Sequence, residues 1–518
     1  MTEVACGLPR QWLLRMWRGH DPSRSGEVQI LPRVPNFVGA GLPHVGPWAF
    51  TSDVPMFWYG PGHVKPIGPV RRPVTLAYIA PTQASLGEAS FDAPDGVPMR
   101  EGLVPVEERT GPPRLVVILV WDGAGRNVLD RWPRSWPVLR RLIPEGAWYE
   151  NATVGSSPTS SAQDHATIGT GAFPRNHKMV GHSMRVGGRI VAPWKDDPGL
   201  LELPTFSDVY DRQMGNRPLV GTVGTVPIQL GMGSQGSFLN GGDRDIAVLR
   251  VPGNAETLGA EGVTWRIPDH YNRWYQFPGY ANDLSPLRSY VEEVRLDARD
   301  GRRDGLWRGH DIFGDELLGG FHTPARIPYQ DRVVQEVIRR EGFGRDEVPD
   351  VLYINHKLID TLGHLYGIQA PEIKDALEVE DEYLRRFIRF LDREVGRGRW
   401  VLGLTADHGS LESAATTGAF QISAERLHAS IQEAFDPDDD SVGVAEQVKQ
   451  TEIFINTEEL EEHGHTLEEV SRHLMGLRQR DVPIPDLPMP DPDARVFRAA
   501  FPSETLENAP CLPAATGG

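Results

Sequence analysis

Residues 115–123 read LVVILVWDG, an apolar run that meets Asp122-Gly123 without a break. A half-exposed strand would alternate apolar with polar side chains. The continuous run Leu115–Trp121 instead fits a strand covered on both faces in a parallel sheet. Val351–Asn355 (VLYIN) and Trp400–Thr405 (WVLGLT) have the same character. Helical stripes lie between them. Val333, Val334, Val337 and Ile338 line one face ahead of Gly342, and Leu377, Leu384, Ile388, Leu391 and Val395 line another. Buried strands alternating with amphipathic helices predict an α/β fold, a mostly parallel central sheet with helices on both faces.

Composition narrows the function. The 518 residues include 53 Lys+Arg against 71 Asp+Glu, a net charge of −18. That field repels polyanions, which argues against an extended nucleic acid as partner. A small phosphate ester remains compatible, because a bound cation outweighs the global field locally. The two cysteines, Cys6 and Cys511, lie at opposite ends of the sequence and supply neither a disulfide framework nor a thiolate metal site. Any metal must then be held by His, Asp, Glu or hydroxyl groups. The N-terminal residues lack the apolar core of a signal peptide, and no apolar run approaches the ~20 residues that span a bilayer. A soluble cytoplasmic protein with no membrane partner is expected.

Three strand ends carry ligand-type residues, and in open α/β sheets ligands bind beyond the carboxyl ends of the strands. The first strand runs into Asp122. The second is followed by IDTLGHLYG, where Asp360 and His364 fall on one face of a helical turn, as a chelating pair requires. The third runs into Asp407-His408-Gly409. Singly, each has a bland explanation: a helix N-cap, a surface contact, simple turn chemistry. Their order and placement together point to a metal centre.

These blocks, with NATVGSSPTSSAQDHATIGTGAFPRNH at 151–177, resemble the alkaline phosphatase superfamily, and within it the type I phosphodiesterase/nucleotide pyrophosphatase branch. The resemblance implies a hydroxyl nucleophile four residues before the His of H-A-T-I-x-T-G. That position is Ser161, where the branch commonly has Thr, and Thr159 and Ser160 are its neighbours. By the same resemblance one metal takes Asp122, Ser161, Asp407 and His408, and the other takes Asp360, His364 and one further His. Two divalent ions are implied, Zn²⁺ by this ligand chemistry, with Mn²⁺ or Mg²⁺ as alternatives. The family places its last His near the C-terminus, but His428, His463, His465 and His473 lack the expected context. LPHVGPWAFTSDVPMFWYGPG at 42–62 has it. A natural circular permutation is therefore inferred, with His44 as the missing ligand.

The expected organisation has five parts: residues 1–110 as the permuted segment, 111–244 carrying the nucleophile, a cap at 245–330, 331–479 with metal ligands, and a Pro-rich tail at 480–518. The cap's aromatic stretch at 265–280 is read as packing or as a base-stacking platform. His182 stands where the family often has an Asn that donates to a phosphoryl oxygen, and Lys178 replaces a family glycine. Monoesterases of the superfamily oppose a dianion with Lys or Arg, and residues 221–236 contain neither. This favours a phosphodiesterase or nucleotide pyrophosphatase acting on a small, nucleotide-like ester through a phosphoseryl intermediate. Arg266, Arg273 or Arg326 of the cap remain possible clamps for a phosphomonoesterase. A phosphotransferase or an inactive metal-binding homologue is the alternative of another class.

Overall fold

A computed structural model describes residues 1–250, 265–436 and 442–512. The central sheet comprises β1 (Met56–Tyr59), β2 (Gly68–Val70), β3 (Leu115–Trp121), β4 (Ala147–Tyr149), β5 (Val220–Val223), β6 (Asp245–Val248), β7 (Tyr275–Gln276), β8 (Asp350–His356) and β9 (Trp400–Thr405). Their spatial order is β7-β6-β5-β8-β3-β9-β1-β4-β2. The three apolar runs are thus neighbours. β3 is buried along its whole length, with Val116 opposite Val351 of β8 on one side and Val401 of β9 on the other, both pairings parallel. The strands from β7 through β9 run parallel to one another.

β1 reverses the direction. It pairs antiparallel with β9, Met56 opposite Thr405. The chain therefore enters β1 from the carboxyl edge of the parallel strands, which carries residues 44–55 to the same edge as Asp122 and Asp407.

Four helices matter for the site: α1 (Ser161–Thr170), α2 (Arg326–Val337), α3 (Leu358–Tyr366) and α4 (Pro371–Leu391). α2 and α4 pack on one another and bury the stripes foreseen for them, Val333, Val334 and Val337 on α2 and Leu377, Leu384, Ile388 and Leu391 on α4.

A second, antiparallel sheet has the order 445–448, 452–455, 28–32, 497–502. Residues 480–518 were expected to be a tail, yet Phe497–Pro502 is a largely buried strand against Val28–Pro32. Its apolar residues are too few for a sequence signal, and their burial depends on a partner hundreds of residues away. The cysteine expectation is likewise corrected. Cys6 and Cys511 form a disulfide across a sequence separation of 505 residues, because the fold packs the first helices against the final strand.

The cap expectation also changes in detail. β6 and β7, inside 245–330, extend the central sheet rather than cover it. Trp265, Tyr271 and Tyr275 are fully buried in the core, so these aromatics are packing. Residues 251–264 of the cap lie outside the described residues. Among the described residues, no helix is long and apolar enough to cross a membrane.

Candidate active site

Asp122 leaves β3 through Gly123, whose φ is +75°. A Cβ there would lie 2.7 Å from Asp360 Cα, so glycine permits the β3 exit to touch the start of α3. The Asp360 N–H donates to the Asp122 carbonyl at 3.0 Å, fixing the approach. On the other side Asp407 Oδ1 accepts from the Gly123 and His408 N–H groups, each at 3.0 Å. The carboxylate is thereby aimed, and its Oδ2 has no hydrogen-bond donor.

Three imidazoles converge on the same space, and each is oriented by a backbone carbonyl. Nδ1 of His44 lies 3.2 Å from Thr159 O, that of His364 3.0 Å from Leu42 O, and that of His408 3.0 Å from Gly409 O. An Nδ1–H in each ring satisfies these contacts and leaves Nε2 with a lone pair. Those Nε2 atoms point at carboxylate oxygens: His44 and His364 at Asp360 Oδ1 (3.3 and 3.4 Å), His408 at Asp407 Oδ2 (3.2 Å). Asp360 Oδ1 is also buried without a donor. Lone pair facing carboxylate is repulsive unless a cation lies between, so these residues fit divalent metal. The nitrogen and oxygen donors suit Zn²⁺.

The sequence-derived residues therefore come together: His44, Asp122, Ser161, Asp360, His364, Asp407 and His408. His44, Asp360 and His408 form one cluster and Asp122, His165 and Asp407 another, and His408 joins the two, its Nε2 3.2 Å from Asp407 Oδ2 and 3.8 Å from Asp122 Oδ1 as well as 3.9 Å from Asp360 Oδ1. His165 is not a free ligand, because its Nε2 faces the Asn355 amide nitrogen at 2.9 Å, while that amide also donates to Asp122. Among the described residues, His428, His463, His465 and His473 take no part in either cluster.

Ser161 opens α1 with its Oγ 3.2 Å from His408 Nε2. Thr159, its rival, is committed elsewhere: its Oγ1 donates to the His44 carbonyl at 2.6 Å and so ties down the His44 loop. Lys357 was missed by sequence reasoning. Its Nζ donates to Asp122 Oδ1 and Ser161 Oγ and lies against Asp360 Oδ2, each at 2.8 Å. A Lys between a buried strand and a D-x-x-x-H helix was the available signal. Lys178, unexplained by sequence, adopts a φ of +69°, the conformation for which glycine is favoured, and its Nζ pairs with Asp21.

Electrostatics separates the carboxylates. Burial, reinforced by Asp407, pushes Asp122 up to about 7. Burial would also raise Asp360, but Lys357 and the imidazoles hold it below the usual carboxylate range. Burial would depress His408, yet with no metal ion between them the Asp407 carboxylate outweighs it and lifts the imidazole to about 10, a proton then standing on Nε2 where the cation would. His182 is open to solvent but crowded by protein, and that crowding together with Lys357 lowers it to about 4.

The sequence pattern of type I phosphodiesterases/nucleotide pyrophosphatases matches residues 116–505. The chain belongs to this family. Within reach of the family, the chain is 23% identical to alkaline phosphatase PhoV of Synechococcus elongatus over 333 residues, covering 58% of this chain and 59% of that one. It is 24% identical to alkaline phosphatase PafA of Elizabethkingia meningoseptica over 351 residues, 58% of this chain and 60% of PafA. The alignments thus span about three fifths of the length of these curated relatives. The crystal structure of wild-type PafA superposes with a TM-score of 0.56 at 18% identity, covering 75% of this chain and 84% of that one. This likeness bears out the α/β fold expected from the sequence. The family match begins at residue 116, after the segment that supplies His44.

Proposed function

We propose that the chain hydrolyses small phosphoric esters in two steps, with Ser161 as nucleophile and a phosphoseryl intermediate. The observation that carries this is the position of Ser161 Oγ, at the N-terminus of α1 and 2.8 Å from the Lys357 ammonium, beside buried carboxylate oxygens that lack donors. Ser161 Oγ, its hydroxyl proton passing to solvent, attacks phosphorus in line as the bond to the leaving oxygen breaks, and that oxygen departs as an alcohol after taking a proton from solvent. Lys357 stabilises the serine oxygen, and the α1 N-terminus favours negative charge on the phosphoryl group. His182 donates a hydrogen bond to a non-bridging oxygen. Water then attacks the phosphoserine and restores Ser161.

Asp122, Asp407, His408 and Ser161 would hold one divalent ion and Asp360, His364 and His44 a second, Zn²⁺ by donor chemistry with Mn²⁺ or Mg²⁺ as alternatives, supplying Lewis-acid stabilisation of the attacking and leaving oxygens. The circular permutation remains part of this proposal. It is supported by the antiparallel seating of β1 beside β9 and by His44 at Asp360.

Within this class a phosphodiesterase or nucleotide pyrophosphatase is favoured, in keeping with the family and with the lack of Lys or Arg at 221–236. Lys357 supports a second reading, a phosphomonoesterase like the named relatives, because its ammonium is a cation for a dianion. Purified wild-type and Ser161→Ala protein, assayed with Zn²⁺ or Mn²⁺ on bis-p-nitrophenyl phosphate and p-nitrophenyl phosphate, test both. A faster diester reaction lost in the variant is expected. A faster monoester reaction supports the second reading, and full activity in Ser161→Ala removes the nucleophile assignment.

A further inference from the structure

The amino edge of the central sheet, opposite the catalytic edge, gathers carboxylates that no cation answers. Asp211 lies on the helix Phe206–Gln213, Asp245 is the first residue of β6, and Asp243 stands in the loop before it. One oxygen from each falls within 4.8 Å of the other two. Asp211 and Asp245 are buried, 3% and 8% exposed, whereas Asp243 faces solvent. The Asp211 carboxyl meets that of Asp243, and its Oδ1 is buried without a hydrogen-bond donor. Among the described residues no basic side chain forms an ion pair with the three. Arg212 donates to the Asp208 and Asn240 carbonyls, Arg217 to that of Met214 and Arg244 to that of Asn272. Burial, then Asp243 and Asp208, pushes Asp211 up to about 7 against a smaller opposing effect of Arg212. Burial likewise holds Asp245 well above the usual carboxylate range, with only the Ser234 hydroxyl beside it. Like charges taken out of water and placed in contact are costly unless a cation lies among them.

The geometry suits a hard cation. Ca²⁺ takes oxygen ligands at about 2.3–2.6 Å, so two oxygens on one ion stand no more than about 5 Å apart. The three carboxylates meet that limit as they stand. Oxygen donors without His or Cys select Ca²⁺ over Zn²⁺, and the solvent-facing Asp243 gives the ion entry and leaves room for water ligands. Asn216 clasps the two chain segments from outside. Its N–H donates to the Asp211 carbonyl at 2.8 Å and its Nδ2 to the Gly241 carbonyl at 3.1 Å. The cluster is remote from catalysis. Ile246 pairs with Gly221, Gly221 with Leu352 and Leu352 with Val117, which puts Asp245 level with Val116. Asp122 is then about 20 Å farther along the strand direction.

We propose that Asp211, Asp243 and Asp245 bind one Ca²⁺ ion, separate from the catalytic metals, which clamps the helix Phe206–Gln213 to the start of β6. Asp208, one turn before Asp211, is not a ligand, because its oxygens accept the Thr205 and Gln235 N–H groups. The ion acts on stability: it binds the folded state, where the three oxygens are together, and not the unfolded chain, where they are apart. The proposal stands whether or not the phosphoric-ester reading holds.

The test uses protein stripped with chelator and reloaded with Zn²⁺, so that the catalytic donors are already occupied. Thermal unfolding is followed as Ca²⁺ and, separately, Mg²⁺ is added to the parent, to Asp243→Asn and to Asp211→Asn. Ca²⁺ is expected to raise the melting temperature of the parent more than Mg²⁺ does. In either variant the Ca²⁺ concentration giving half the effect should rise at least tenfold. Asp360→Asn, at the catalytic edge, should keep the Ca²⁺ effect of the parent. No rise with Ca²⁺, or a rise that survives both substitutions unchanged, overturns the site. Equal stabilisation by Mg²⁺ overturns the choice of ion, and loss of the Ca²⁺ effect in Asp360→Asn places the ion at the catalytic centre and overturns the site as well. A purely structural role for the carboxylates would shift the melting temperature equally with and without Ca²⁺, which also overturns it. If Asp211→Asn fails to fold, the exposed Asp243→Asn carries the same comparison.

Discussion

Lys357→Met is the substitution with the sharpest expected consequence. It removes the ammonium 2.8 Å from Ser161 Oγ, Asp122 Oδ1 and Asp360 Oδ2 while keeping most of the aliphatic stem. A hydrogen bond to a charged group is worth about 1.5–3 kcal/mol. If the bond to Ser161 strengthens as the oxygen takes up charge, its loss appears in the transition state. At about 1.4 kcal/mol per decade, kcat/KM should fall by roughly 10- to 150-fold. The bonds to Asp122 and Asp360 act on the ground state instead. Both carboxylates are buried, so losing their shared cation should destabilise metal-stripped protein by about 3–5 kcal/mol. With an unfolding entropy of about 2.1 cal/mol/K per residue, that is a melting shift of only about 3–5 °C for a chain of 518 residues. The assay is steady-state kinetics on bis-p-nitrophenyl phosphate and p-nitrophenyl phosphate, with Lys357→Arg beside it and melting curves run with and without chelator. A change in kcat/KM below threefold on both substrates, in folded protein, would refute the role given to this ammonium. A loss confined to the monoester would assign it to dianion binding instead.

Three further outcomes are expected. His44→Ala should lower bound Zn²⁺ by about one ion per chain, measured by elemental analysis after dialysis, because His44 Nε2 faces Asp360 Oδ1; an unchanged stoichiometry would place that ligand elsewhere. Burial depresses His177 to about 3, and its Nδ1 accepts the Met179 N–H, so the folded state holds it neutral. Because the unfolded residue takes a proton near pH 6.5, its contribution to stability is present above that pH. It is lost as pH falls toward 3, at up to about 1.4 kcal/mol per pH unit. His177→Gln should flatten the acid limb of a melting-temperature profile between pH 4 and 7, and an unaltered slope would count against this assignment. Cys511→Ser opens the disulfide to Cys6 and should cost about 2–4 kcal/mol. The wild type should lose the same stability on reduction, and indifference to reductant would show that the bond contributes nothing.

Much of the site was legible because its signals are local. Asp122 and Asp407-His408 follow unbroken apolar strands, and Asp360 with His364 falls at helical spacing, so each motif carries its own evidence of position. Ser161 depended on resemblance, since a run of six Ser, Thr and Pro residues offers several hydroxyls. The structure separates them by what Thr159 and Ser161 touch. Lys357 was not legible because a lysine at a helix start usually points to water. Here the side chain turns inward because three oxygen atoms wait there, one each on Asp122, Ser161 and Asp360.

The sequence by itself determined the α/β class, the central strand and the ligand-bearing strand ends, because alternation, burial and i,i+4 spacing are properties of short stretches. Tertiary structure decided which distant residues meet. β1 runs antiparallel to β9, and that reversal carries His44 to Asp360 across more than 300 residues of chain. The same long-range packing makes a strand of Phe497–Pro502, joins Cys6 to Cys511, and stacks Arg250 and Arg326 on one phenyl ring. None of these has a local periodicity to read. Each exists because the sheet order places chain segments side by side, and only then can charge, burial and hydrogen bonding select what they become.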